Sequence, residues 1–151
     1  MKHVKKSVLL WYSASEMYEL VVSVPAYPEF LPWCARTEIL STSEDQTTAR
    51  LYLAFHGVRH AFTTRNTQVR NASVQVALVD GPFSQLEGSW LFTALEAPSA
   101  SGGVACRIDF DLRYAFSSRA LEMVVSPVFD RIANTLVDAF VKRAEQVHGP
   151  R

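Results

Sequence analysis

The chain has 151 residues, 48% of them hydrophobic and 20% charged, which fits one globular domain, residues 1–151, with a sizeable core. Lys plus Arg equals Asp plus Glu at 15 each, so the chain as a whole is not a polyanion binder and DNA is not expected as a partner, although a local basic face is compatible with that balance. No apolar run approaches the roughly 18 residues of a membrane-crossing helix, and Ser7–Tyr12 is too short for a secretory signal core.

Residues 3–12 read as a first strand, rich in Val and Leu and ending in Trp11-Tyr12. Its basic start, with Lys2, Lys5 and Lys6, reads as ordinary solvated surface. A short helix follows. Either Ser13 or Ser15 can serve as N-cap, and Ser13 has Glu16 at the capping-box spacing. Met17, Leu20, Val21 and Val24 mark its apolar face, and Pro25 ends it.

The next stretch, Tyr27-Pro-Glu-Phe-Leu-Pro-Trp-Cys34, carries three aromatics, two prolines and a cysteine. Proline fixes φ and disfavours helix at the residue before it. A second helix starting near Pro28 must therefore stop before Pro32. Such a turn gathers Tyr27, Phe30 and Trp33, which is more apolar surface than a connector needs and suits a cover over a cavity.

From residue 35 to 116 the period becomes two. Leu51, Leu53 and Phe55 alternate with polar residues, as do Val74, Val76 and Leu78. In the last strand Val104, Cys106, Ile108, Phe110, Leu112 and Tyr114 oppose Arg107, Asp109, Asp111 and Arg113. That is the pattern of an antiparallel sheet with one wet face. Turns are expected at His56-Gly57, at Asn71 and across Ala97 to Gly103. Six strands thus follow the two short helices, seven in all. From Ser118 to Val147, Leu121, Val125, Val128, Phe129, Ile132, Leu136, Phe140 and Ala144 recur at helical spacing opposite Asp130, Arg131 and Asp138. This gives a long terminal helix with a kink expected at Pro127.

The predicted architecture is α+β: a curved seven-stranded antiparallel sheet gripping the long C-terminal helix, with two short helices between strands 1 and 2. A sheet cannot close fully around one helix, so a space is expected between them.

Catalytic groupings are sparse. The chain holds no GxSxG, HExxH, P-loop or GxGxxG sequence. His3, His56, His60 and His148 are too dispersed for a metal site, and Cys34 and Cys106 form neither a metal spacing nor a disulfide framework, as befits a reducing, cytoplasmic setting. Asp109 and Asp111 share a face with Arg107 and Arg113 and read as a solvated ion-pair ladder. No enzymatic activity, catalytic residue or required cofactor is expected.

The apolar features are more distinctive. Gly81-Pro82 sets a sharp corner from which Phe83 projects, and Leu86, Gly88, Trp90 and Phe92 then share one face. Gly88 leaves room there for a neighbouring backbone or a guest. By face periodicity the walls of an apolar pocket fall to Phe30, Trp33, Phe62, Trp90, Phe92, Phe129, Ile132, Leu136 and Phe140, with Tyr27 and Phe83 beside them. Pro127 and the 25–34 segment would form its mouth.

Tyr27-Pro-Glu-Phe-Leu-Pro-Trp-Cys34, Phe62-Thr-Thr-Arg-Asn66, and Leu78-Val-Asp-Gly-Pro-Phe83 followed by Leu86, Gly88, Trp90 and Phe92 resemble the START-like family that includes coenzyme Q-binding proteins. The likeness runs from about residue 3 to residue 147 and extends to bacterial proteins of the ribosome-association toxin type and to proteins labelled oligoketide cyclases. It implies a helix-grip fold, like that of the birch-pollen allergens, whose cavity takes ubiquinone or another isoprenoid lipid in support of respiration. A hydrophobic small molecule and transient inner-membrane contact are then the expected partners.

For the toxin branch it implies contact with the large ribosomal subunit, which blocks subunit joining. Arg50, Arg59, His60, Arg65 and Arg70 are the candidate contact residues, with Arg59 and Arg65 opposite Phe62. Cyclase chemistry needs inward acid–base groups, and the sequence offers no convincing set.

Overall fold

A computed structural model describes residues 1–96 and 104–151. The expected turn at Ala97–Gly103 lies outside the described residues. Seven strands, β1 (Lys2–Leu10), β2 (Cys34–Thr42), β3 (Gln46–Phe55), β4 (Val58–Val69), β5 (Ser73–Asp80), β6 (Phe83–Glu96) and β7 (Val104–Phe116), form one antiparallel sheet. Its order is β1-β7-β6-β5-β4-β3-β2, so every connection is a hairpin except the one between the two edges. That connection carries α1 (Ala14–Val22) and a 3-10 segment (Val24–Glu29). The terminal helix α2 (Arg119–His148) lies on the concave face. This is the expected helix-grip fold.

Local chemistry explains most boundaries. His56 and Gly57, both with positive φ (49° and 79°), make the two-residue turn whose twist suits the β3–β4 hairpin. Asn71 (φ 59°) turns β4 into β5. At the β5–β6 corner Gly81 has φ 147°, and an added Cβ would fall 2.7 Å from Phe62 Cβ. Register shifts at Cys34/Arg36, Ile39/Ser41, Thr63/Thr64 and Phe83/Gln85 supply the local bends a gripping sheet needs.

Two boundaries differ from expectation. The first strand ends at Leu10, leaving Trp11 exposed and turning Tyr12 into the core. The second helical segment starts at Val24 rather than near Pro28, because Pro25 sits in its first turn, where a missing N–H costs nothing. Val24 therefore belongs to that segment and not to α1. The long terminal helix is present as expected, α2 running from Arg119 to His148 with Pro127 inside it.

Ser13, not Ser15, caps α1: its hydroxyl accepts from Glu16 N at 3.0 Å, and Glu16 Oε1 accepts from Ser13 N at 2.8 Å. Glu16 also receives both guanidinium nitrogens of Arg151, at 2.7 and 2.9 Å. The Arg151 hydrogen bonds, with those from Ser13, outweigh burial and hold Glu16 down at about 2. A depressed carboxylate stabilises the fold above its unfolded pKa near 4.5, and that contribution is lost as pH falls toward 2. The melting temperature is therefore expected to drop over this window and to drop less in Glu16→Gln. Parallel pH curves for the two proteins would remove Glu16 from the account.

The wet face of the sheet carries the anticipated ladder. Arg107 meets Asp109 at 3.0 Å, Arg113 meets Asp111 at 3.7 Å, and His3 joins Asp111 at 2.9 Å. Asp130 departs from its reading as an outward-facing charge. Tyr114, almost fully buried, donates to Asp130 Oδ1 at 2.5 Å, while Lys2 and Ser126 donate to Oδ2. Burial alone would raise the Asp130 pKa, but these hydrogen bonds together lower it below the ordinary carboxylate value. The cluster ties β1 and β7 to α2.

Candidate functional site

An apolar cavity of about 100 Å3 lies between the sheet and α2. The 3-10 segment and the loop after it contribute Val24, Tyr27, Leu31 and Trp33 to its wall. The sheet contributes Leu51, Phe62, Thr64, Asn66, Val76, Leu86, Gly88, Trp90, Phe110 and Leu112, and α2 adds Phe129, Ile132, Ala133, Leu136 and Phe140. The inward parity of each strand and the helical spacing of α2 bring these residues together, as periodicity predicted for Trp33, Phe62, Trp90, Phe129, Ile132, Leu136 and Phe140, with Tyr27 beside them.

Three of the anticipated residues do not border it. Phe83 packs into an aromatic cluster with Phe129 (4.8 Å), Phe116 (5.3 Å) and Phe62 (5.8 Å). Phe92 stacks behind Trp90 and meets Tyr18 of α1 edge-on at 5.9 Å. Phe30 stays half-buried, edge-on to Tyr27 at 6.1 Å and to Phe140 at 5.1 Å. Correct face periodicity could not separate these from wall residues, because it fixes which side of the sheet a ring takes and not what stands against it there.

Phe30 instead lines a surface groove of about 640 Å3, with Glu29, Phe55, Arg131, Lys142 and Arg143 among its other residues. Trp33 and Ile132 border both the groove and the inner cavity. These two side chains stand between the two spaces, beside the edge-on pair Phe30–Phe140, with centroids 5.1 Å apart. Glu29, Phe30, Pro32 and Trp33 line the groove, Pro127 borders neither space, and α2 contributes residues between 131 and 146 to the groove. Arg143, over the Phe30 ring at 5.1 Å and paired with Glu29 at 3.1 Å, braces the outer lip.

The wall offers little acid–base chemistry. Its one titratable side chain is Tyr27, whose hydroxyl donates to the Val21 carbonyl and whose pKa burial drives upward. Cys34 and Cys106 are buried and free, and burial raises both thiols to about 11, far from thiolate reactivity at neutral pH. Among the described residues no group of three or more His, Cys, Asp or Glu side chains could hold a metal ion.

Several wall residues, Leu31, Leu51, Phe110 and Leu112 among them, were not assigned to the wall by the sequence reading, and two more are polar. Thr64 and Asn66, 3% and 8% exposed, sit on the inward face of β4 in phase with Phe62. Polar residues on an apolar parity were the available signal.

The basic candidates divide. Arg50, Arg59 and Arg65 lie on the wet face of β3 and β4, where Arg50 meets Glu38 at 3.7 Å, and Arg59 and Arg65 form no ion pair among the described residues. Arg36, stacked over Tyr52 at 3.9 Å, joins them and was not anticipated. His60 pairs with Leu53 and shares the inward parity of Phe62, so it does not join this face. Arg70 lies beyond the end of β4, in a depression with Glu19, Glu44 and Asp45. Strand alternation and acidic neighbours thus reduce the five-residue cluster to three plus Arg36.

The family model described as polyketide cyclase/dehydrase and lipid transport matches residues 10–141. The chain belongs to this family. It is 41% identical over 147 residues to the ribosome association toxin RatA of Pseudomonas aeruginosa, covering 97% of this chain and 98% of that one. It is 31% identical over 146 residues to the coenzyme Q-binding protein COQ10 homolog B, mitochondrial, of Xenopus laevis, covering 95% of this chain and 58% of that one. The Zhui aromatase/cyclase from a Streptomyces species superposes with a TM-score of 0.71 over 96% of this chain and 94% of its own, at 18% identity, a likeness of fold. The family's START-like fold is the one built above.

Proposed function

We propose that the protein binds ubiquinone or a similar isoprenoid lipid in the cavity between α2 and the sheet, and acts as a carrier without catalysing a reaction. The observation that carries this reading is a mostly apolar hollow whose wall lacks carboxylate, imidazole and amine groups. An isoprenoid needs only apolar walls and exclusion of water, at about 0.8 kcal/mol per buried methylene. The similarity to a protein named for coenzyme Q binding supports the choice of ligand.

Volume limits how the ligand sits. At about 100 Å3 the cavity is smaller than the ~150 Å3 engineered hollow that holds a benzene-sized guest. As it stands it accepts a short chain segment; a ring needs space made as Trp33 and Phe30 swing aside, with the remainder in the outer groove. A cytoplasmic protein in transient contact with the inner membrane would acquire such a ligand there. Arg131, Lys142 and Arg143 beside the groove suit anionic lipid headgroups.

Organic extraction of purified protein followed by mass spectrometry tests the reading, together with titration of delipidated protein with short-chain ubiquinone. Trp33 and Trp90 on the wall are expected to be quenched. No co-purifying isoprenoid and no quenching at any quinone concentration would remove the carrier proposal.

A second reading is favoured by the full-length similarity to a ribosome association toxin and by Arg59 and Arg65, which form no ion pair among the described residues. In it the wet face contacts the large ribosomal subunit and inhibits translation initiation. The two readings are compatible, since one uses the interior and the other the exterior. Co-sedimentation with ribosomes should weaken steeply with salt and fall further in Arg59→Glu/Arg65→Glu. An absence of association at low salt would count against it.

A further inference from the structure

We infer that the cavity recognises the head of its ligand, and that this head carries a carbonyl or equivalent acceptor bonded by the Asn66 amide. The inference rests on the ligand-binding reading above and adds the chemical class of the head and its orientation.

A hydrocarbon tail explains an apolar wall and leaves Thr64 and Asn66 unexplained. Both are more than nine-tenths buried and both line the cavity. Thr64 Oγ1 donates to Asn66 Oδ1 at 3.0 Å, which fixes the amide's acceptor end. Asn66 Nδ2 then has no hydrogen-bond partner among the described residues. Asn66 Nδ2 is not fully enclosed, so water can reach it in the cavity. A purely apolar guest would displace that water and leave the donor unsatisfied, whereas an acceptor on the ligand replaces it; a wall built solely for hydrocarbon has no use for an amide at position 66.

The position of the pair sets the orientation. Cys34, adjoining Trp33 at the mouth, pairs with Leu53, which pairs with His60 of β4. Thr64 and Asn66 lie four and six residues further along that strand, roughly 13–20 Å at about 3.3 Å per residue. The head therefore enters first and the tail trails past Trp33 and Ile132 into the groove. The groove of about 640 Å3 has room for a chain, and the head requires the cavity of about 100 Å3 to widen.

Calorimetric titration of delipidated protein with 2-decyl-1,4-benzoquinone and with decylbenzene, which share a shape and differ in the carbonyls, tests this. Wild type is expected to bind the quinone at least tenfold more tightly. Asn66→Leu should lose about tenfold toward the quinone and gain toward decylbenzene, and Thr64→Val, which frees the amide to rotate, should lose less. Thermal melts establish that each variant is folded, and the wild-type preference stands as a test without any variant. Equal affinity of wild type for both compounds, or an unchanged preference in folded Asn66→Leu, would overturn head recognition while leaving apolar binding intact. Failure of wild type to bind either compound would remove the cavity reading and this inference with it.

Discussion

Phe140→Ala is expected to lower the unfolding free energy by about 3–5 kcal/mol, a large part of the ~5–15 kcal/mol a domain of this kind possesses. Phe140 is 1% exposed and stands where α2, β6 and the 3-10 segment meet. Its ring lies edge-on to Phe30 at 5.1 Å, to Trp90 at 5.2 Å and to Tyr27 at 5.6 Å. Removing it takes apolar area from α2, from β6 and from the 3-10 segment at once, and the rigid sheet cannot collapse into the gap. The same ring lines the inner cavity beside Phe30, so the variant should also bind and release apolar probes faster. Urea denaturation gives the first quantity and stopped-flow quenching the second. A loss under about 1 kcal/mol would mean that the ring is not packed as described.

Asp130→Ala is expected to cost about 2 kcal/mol, because it strands buried donors. The Tyr114 hydroxyl, on a residue 1% exposed, loses its only acceptor among the described residues, whereas Lys2, partly exposed, rehydrates. Asp130→Asn keeps an acceptor for Tyr114 and should cost less. The informative variant is Asp130→Ala/Tyr114→Phe. It removes donor and acceptor together and should recover part of the single-variant loss. Strict additivity in a double-mutant cycle would show that the two groups do not interact. Because Asp130 is held below its ordinary value, its contribution, like that of Glu16, is present above the unfolded carboxylate pKa and fades as the pH falls below it.

Much of the architecture was legible because the periods are unambiguous. The β7 alternation from Cys106 to Tyr114 is unbroken, and every one of its inward residues is buried. The Ser13–Glu16 box and the His56-Gly57 turn are local devices whose geometry follows from a few adjacent residues. Such features depend on backbone chemistry within one turn, so sequence alone carries them. The start of the 3-10 segment was not legible, since Pro25 both ends one helix and opens the next.

The site was legible in its elements and not in its contents. Trp90 and Phe92 share one parity on one strand, yet Trp90 faces the hollow while Phe92 is backed by Tyr18 from α1. His60 and Arg59 are neighbours in the chain and fall on opposite faces, which divided a basic cluster that composition had joined. The Asp130 cluster joins residues separated by up to 128 positions, and no local pattern announces it.

Sequence by itself determined the seven strands, the long amphipathic helix, the apolar inner face and the absence of familiar catalytic motifs, because each is written in spacings of two to four residues. Only the tertiary structure decided how large the hollow is, which rings border it, where it opens, and that a threonine and an asparagine stand on its wall. Those properties depend on how closely side chains from distant strands and α2 approach one another. Close packing fixes that distance, and no periodicity encodes it.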